Sequence, residues 1–236
     1  MATDHIVKSF DEDLARLSDL VSRMGGIAEN QLDKAINALQ SRDSALAEEV
    51  IHADVKVDEL QIEIEELALR MIALRQPMAA DLRETVAALK IAPLIERIGD
   101  YAKNVAKRAI ALNQVPPVKP LFTIPRMGRM VREMLKNVLD AFANQDVDKA
   151  REVWLADEEV DEMHDSLFRE MLTYMMEDPR NITPCTHLLF AARNIERMGD
   201  LATNIAEVIH FQVTGDTLGG DRPKVDDASV TIVETR

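Results

Sequence analysis

Apolar positions recur along the chain at helical spacing, and only a few breaks interrupt them. Leu14, Leu17, Val21, Met24, Ala28, Leu32, Ala35 and Leu39 form one stripe, which predicts a helix from about Ile6 to Leu39. Ser41 to Asp43 reads as a turn, with Asp43 or Ser44 capping a second helix that runs to about Arg75. Gln76-Pro77 ends it, and Pro77 is preset for the first turn of a third helix reaching about Asn113. A Pro-rich linker follows at 115–125. A fourth helix covers about Arg126 to Asn144, Asp146 caps a fifth that ends at Asp178-Pro179, and a sixth runs from about Thr183 to Val213. No strand-like alternation of any length appears. The expectation is an all-α protein, with 215–236 a disordered or loosely docked tail rich in Gly and Asp.

The pattern is written twice. Glu96-Arg97-Ile98-Gly99-Asp100-Tyr101-Ala102-Lys103-Asn104-Val105-Ala106 returns 100 residues later as Glu196-Arg197-Met198-Gly199-Asp200-Leu201-Ala202-Thr203-Asn204-Ile205-Ala206, with seven of eleven positions identical. At a shift of 103, Arg23 to Glu59 overlays Arg126 to Glu162 with fourteen identities, Arg-Met-Gly at 23–25 and 126–128 among them. The kept positions include acids, Gly and Asn, whereas a core keeps hydrophobicity and volume. Two copies of a site are therefore expected, not only two copies of a fold. Residues 1–114 and 126–214 become tandem antiparallel three-helix bundles, six long helices in all, related by a pseudo-two-fold.

Composition narrows the function. Apolar residues make up 47% of the 236 and aromatics 4%, a helical palette with enough apolar mass for real cores. The net charge of −14 disfavours nucleic acid and acidic lipid surfaces, which need a basic footprint. Cations or a basic protein face fit better. One Cys allows no internal disulfide and suits a reducing cytosol. The acidic N-terminus is unlike a signal peptide, and no stretch nears the roughly 18 apolar residues of a membrane span. Membrane contact would be peripheral, through a protein partner.

Four acid pairs at i, i+4 spacing stand out: Asp54/Asp58, Glu96/Asp100, Asp157/Asp161 and Glu196/Asp200. Such like-charge pairs share a helix face and destabilise an isolated helix by a few tenths of a kcal/mol, so a cation is the natural offset. In an antiparallel hairpin, residues equidistant from the turn lie level. Asp58 and Glu96, like Asp54 and Asp100, centre on Pro77; Asp161 and Glu196, like Asp157 and Asp200, centre on Asp178-Pro179. Each half thus sets four carboxylates at one height. The helical wheel puts them on a surface seam beside the apolar stripes, with Asn104 and Asn204 one turn on as additional amide ligands. Carboxylates and amides suit Fe, Mn, Mg, Zn or Ca. A solvated acidic face is the plain alternative for any single pair in a chain with 42 acids.

Other motifs carry less. Glu49-x-x-His52 and Glu207-x-x-His210 have di-iron spacing, which admits an oxidase or storage bundle of ferritin type, but neither is duplicated. His164 and His187 read as structural or exposed, Trp154 as packing, and the twelve Met as core filler. Mid-helix Gly99 and Gly199 each cost about 1 kcal/mol relative to Ala, which points to close packing or a cation near the backbone. No nucleophile, base and orienting group can be assembled, so the chain is expected not to be an enzyme.

The sequence resembles the PhoU family over essentially all of 6–214. The resemblance rests on Leu74-Arg75-Gln76-Pro77-Met78-Ala79-Ala80-Asp81-Leu82-Arg83, on Asp178-Pro179-Arg180, on His187-Leu188-Leu189-Phe190-Ala191-Ala192-Arg193-Asn194, and on the two Glu-Arg-x-Gly-Asp copies. It implies a cytoplasmic protein, often a homodimer, that negatively regulates the phosphate regulon and links the phosphate ABC transporter to the membrane sensor histidine kinase. It also implies metal clusters on acid pairs that map onto the four named above. The sequence departs from the family at Tyr101 and Leu201, where many relatives carry His, and at Thr183-Pro184-Cys185, which shifts the start of the sixth helix.

Overall fold

Both predicted aspartate caps form. Asp43 accepts the Leu46 N–H at 3.0 Å and Asp146 the Lys149 N–H at 3.0 Å. The residue before each cap is left-handed, Arg42 at φ 58° and Gln145 at φ 53°, so the turn repeats in geometry as well as in sequence. For a non-glycine that conformation costs about 1–2 kcal/mol. Arg42 offsets part of this by donating to the Leu112 and Val115 carbonyls at 2.9 and 2.7 Å, at the C-terminal end of a neighbouring helix whose carbonyls need partners.

The structure is a computed structural model that describes residues 2–118 and 122–218. Its helices are α1 (Ala2–Ser41), α2 (Ser44–Ala53), α3 (Val55–Arg75), α4 (Ala80–Asn113), α5 (Thr123–Asn144), α6 (Val147–Glu177) and α7 (Ile182–Thr214), with a 3₁₀ turn at Pro179–Asn181 and no strand among the described residues. The expected second helix is present as α2 and α3, separated only at Asp54, whose φ −58° and ψ −38° remain helical. Its counterpart α6 runs without a break. Pro77 does not open α4, because Gln76 (φ 50°) and Ala79 (φ 48°) hold a left-handed turn and the helix begins at Ala80. Pro125 lies inside the first turn of α5, where a missing N–H leaves no bond unmade. Of the expected tail only 215–218 are described: Gly215 closes α7 at φ 83°, and Leu218 packs on the core.

The two halves share one core. α4 lies against α7 and α1 against α5, in addition to the contacts within each half. Small residues on the facing helices, among them Ala88, Ala92, Ala102, Ala106, Ala192, Ala202 and Ala206, are fully buried. The repeated Arg-Met-Gly makes the crossing of α1 and α5 reciprocal. A Cβ on Gly25 would stand 2.3 Å from Leu139 Cδ2, and one on Gly128 would stand 2.1 Å from Ile36 Cδ1. Ile36 and Leu139 are themselves equivalent at the shift of 103, so each half inserts the same knob into the other's glycine hole, the mark of a two-fold contact.

Candidate metal centre

Each half brings its four acids into electrostatic contact. In the first, Lys103 on α4 ion-pairs Asp54, at the α2–α3 junction, and stands 3.4 Å from Asp100 Oδ1. Asp54 and Asp100 are the pair expected to lie level. Burial raises the Glu96 carboxyl above its ordinary range, and Asp100, Asp58 and Asp54 push it further. Asp58 is raised by burial and by Asp54 and Asp100, with Lys103 opposing. In the second half, burial dominates and lifts Glu196 to about 7, with Asp200, Asp161 and Asp157 adding to it and Arg193 acting against it.

The expected surface seam is wrong for half of the set. Asp54 is 4% exposed, Asp157 1%, Asp161 6% and Glu196 6%. Asp58 is exposed, and Glu96, Asp100, Asp200, Asn104 and Asn204 are half-buried. A helical wheel assigns faces within one hairpin; it does not contain the third helix of the bundle, which covers the edge of the polar sector. α1 does this to the first cluster. Leu17, Val21, Met24, Ala28, Gln31, Ala35 and Ala38 are all buried at alternating spacings of four and three, so Gln31 is a lone amide in an apolar seam. That spacing is legible in the sequence itself.

The mid-helix glycines make room for these groups. A Cβ on Gly99 would meet Gln31 Oε1 at 3.0 Å and Asp54 Oδ1 at 3.4 Å; one on Gly199 would meet Asp157 Oδ1 at 3.2 Å, with Met134 Cε at 3.9 Å. Met134 is the counterpart of Gln31. Both amide atoms of Gln31 are buried without a hydrogen bond, as is Glu196 Oε2, while Glu196 Oε1 accepts from Arg193 at 3.1 Å. An unmade bond of this kind costs about 1–3 kcal/mol and marks a place where an additional partner would bind favourably.

Each half also supplies one cation from a different position: Lys103 has Thr203 as its counterpart, and Arg193 has Pro93. Neither cation is marked by the acid-pair pattern in the sequence. His164 and Asp165, 3.9 Å apart and buried on α6 beyond Asp161, add an unforeseen polar pair. Among the described residues no group of three or more His, Cys, Asp or Glu is arranged so that it could hold a metal ion as it stands. The donor chemistry, carboxylates with two orphaned buried groups, suits a hard cation, while the space over Gly99 and Gly199 is taken by Gln31, Asp54 and Asp157.

The Glu-x-x-His motifs do not form a ferritin-type centre. Glu49 and His52 are exposed, with Glu49 held by Lys34 at 3.0 Å. Glu207 accepts from the Trp154 indole at 3.1 Å, and His210 sits at the C-terminal end of α7 against the Asp216 carbonyl. Of the two residues that follow the repeated Gly-Asp, Leu201 is core and Tyr101 lies under the Arg197 guanidinium, 5.9 Å from the ring centre.

A family model described as the PhoU domain matches twice, at residues 21–109 and 124–209. The phosphate-specific transport system accessory protein PhoU homolog of Caulobacter vibrioides is 56% identical over 225 residues, covering 95% of this chain and 98% of that one. The Escherichia coli K12 phosphate-specific transport system accessory protein PhoU is 39% identical over 220 residues, covering 92% and 91%. The crystal structure of PhoU from Pseudomonas aeruginosa superposes with a TM-score of 0.85 at 39% identity, over 88% of this chain and 100% of that one. The phosphate transport system regulatory protein PhoU from Streptococcus pneumoniae gives 0.82 at 28% identity, over 89% and 99%. The chain, with its two fused halves and twin acid clusters, belongs to the PhoU family.

Proposed function

We propose that this chain is a non-enzymatic negative regulator of phosphate uptake and of the phosphate regulon. It acts as an adaptor between the phosphate ABC transporter and the membrane sensor kinase. The observation that carries this reading is near end-to-end similarity to proteins named as accessories of phosphate-specific transport, 56% identical in one case. No helix among the described residues is long and apolar enough to cross a membrane, which suits attachment through a protein partner.

In this reading each acid cluster is a cation site. Asp54, Asp58, Glu96 and Asp100 would hold one ion or cluster, and Asp157, Asp161, Glu196 and Asp200 the other. A bound divalent or trivalent cation would supply the positive charge that these carboxylates lack. The chain's own part is to hold them level on two helices and to keep Glu196 and Asp157 out of water. Elemental analysis after native purification tests this, with metal expected in the wild type and lost from a variant in which all eight acids are amides. The regulatory role is tested by deleting the gene and reading a phosphate-regulon reporter in phosphate-rich medium. Constitutive expression is expected; unchanged repression would overturn the reading.

A further inference from the structure

Helix α3 presents a face that none of the described residues covers. Val55, Ile62 and Leu69 are 58%, 57% and 60% exposed and spaced by seven, so they form one line along the helix. Glu59 and Glu66 stand exposed between them, and half-buried Glu65 lies on one edge. Among the described residues none of these three glutamates has an ion pair. The other edge is the row Lys56, Glu63 and Arg70, in which Arg16 pairs Glu63 at 2.7 Å. At its N-terminal end the line abuts the first acid cluster through Asp58.

This face is not a by-product of the duplication. At the shift of 103 the counterparts of Val55, Ile62 and Leu69 are Glu158, Asp165 and Leu172. Asp165 is buried and Leu172 half-buried, so the second half has no exposed line there. The other large exposed apolar residues of that half, such as Leu155 and Met176, do not continue such a row.

We propose that the α3 face is a docking surface for a partner helix whose own apolar heptad residues are flanked by Lys and Arg. Three apolar side chains one heptad apart supply one of the two seam positions that a helix offers another, and Glu59 and Glu66 fill the line between them. The glutamates on the line and on one edge favour basic residues facing them on the partner and repel acidic ones, whereas the edge with Lys56 and Arg70 adds no such demand. The central charges argue against a second copy of this chain, because α3 laid on α3 along this line would set Glu59 and Glu66 beside their own counterparts, with Lys56 and Arg70 only at the edge. The surface meets the metal reading only at Asp58, beside Val55 and Ile62, and the rest of the line carries no proposed ligand.

The test uses the full chain and a synthetic 21-residue helical peptide with Leu at the seam positions and Lys or Arg beside them. A twin with Glu in the flanks serves as the control. Anisotropy should show binding of the basic peptide only, and hydrogen exchange should show protection confined to α3. The double variant Ile62→Ser, Leu69→Ser should weaken binding at least tenfold, whereas Met176→Ser, at an exposed apolar site elsewhere, should leave it unchanged. Substituting Glu59, Glu65 and Glu66 by Gln should flatten the salt dependence. These positions are on the surface, and circular dichroism checks that the variants remain folded. Equal binding by the Ile62/Leu69 variant and the Met176 variant would overturn the proposal. So would a dimer in sedimentation that the Ile62/Leu69 variant alone dissolves, because a second copy would then cover the face.

Discussion

The two halves share a fold and diverge at their acid clusters. The first has an amide, Gln31, against Asp54 and a lysine that spans Asp54 and Asp100. The second has a thioether, Met134, in place of the amide, a threonine in place of the lysine, and an arginine on Glu196. The arm that carries the first cluster is interrupted at Asp54, and the arm that carries the second is continuous. The duplicated acids therefore sit in two different environments. The first cluster is more open and is partly neutralised by a flexible ammonium. The second is drier, and burial lifts one of its carboxyls, Glu196, to about 7. Duplication kept the number and height of the acids and released the groups around them.

The strongest way to break this comparison is at the one place where the halves behave alike. Gly25→Leu and Gly128→Leu should each cost about 3 kcal/mol in denaturant unfolding, because each drives a side chain into the other half's Leu139 or Ile36. Reciprocity predicts nearly equal losses; a large cost for one and none for the other would mean that the crossing is not two-fold.

Next in size is the protonation of the second cluster. Glu196 has its folded value raised to about 7 from an ordinary 4.5, so the native state binds more protons than the unfolded state between those values. Stability of the metal-free protein should then fall as pH rises through roughly 4.5 to 7 and level off above it. The effect is on the order of 2–3 kcal/mol. Glu196→Gln should remove this slope, and Glu96→Gln, at a half-buried site, should change it less. Urea titrations at pH 5 and pH 8 read the difference; an unchanged slope in the Glu196 variant would place the proton elsewhere.

Lys103→Thr gives the first half the residue of the second. It should cost about 1–2 kcal/mol in metal-free protein, since Asp54 loses the cation against which it is buried and the lysine itself is partly screened by solvent. Excess Mn²⁺ should restore part of that loss if the acids bind a cation, which thermal melts with and without the metal would show. The smallest effect is of opposite sign. Gln31→Met, again the counterpart residue, removes two buried unbonded amide atoms and should stabilise the metal-free protein by about 1 kcal/mol. Destabilisation there would mean that the amide has a partner in solution.

Much of this was legible in the residues. The breaks at Asp43, Asp146, Pro77 and Asp178-Pro179 give the helices and hairpins, because turn and cap chemistry is local. Equal distance from a turn placed Asp54 level with Asp100, and the Lys103 bridge joins that pair. Gln31 was readable as a polar break in an apolar seam, although its meaning depends on what lies opposite. The sequence could not yield the burial of Asp54, Asp157, Asp161 and Glu196, since a wheel drawn for one hairpin lacks the helix that closes over its edge.

The order of the helices, the duplication and the level of the acids follow from the chain alone, because they depend on short-range backbone chemistry and on counting residues along rigid helices. The fusion of the halves, the glycine holes at Gly25 and Gly128, and the dryness of the second cluster follow only from the tertiary structure. They depend on which faces meet across a hundred residues, and burial is set by the neighbours a side chain acquires, not by its place in the sequence.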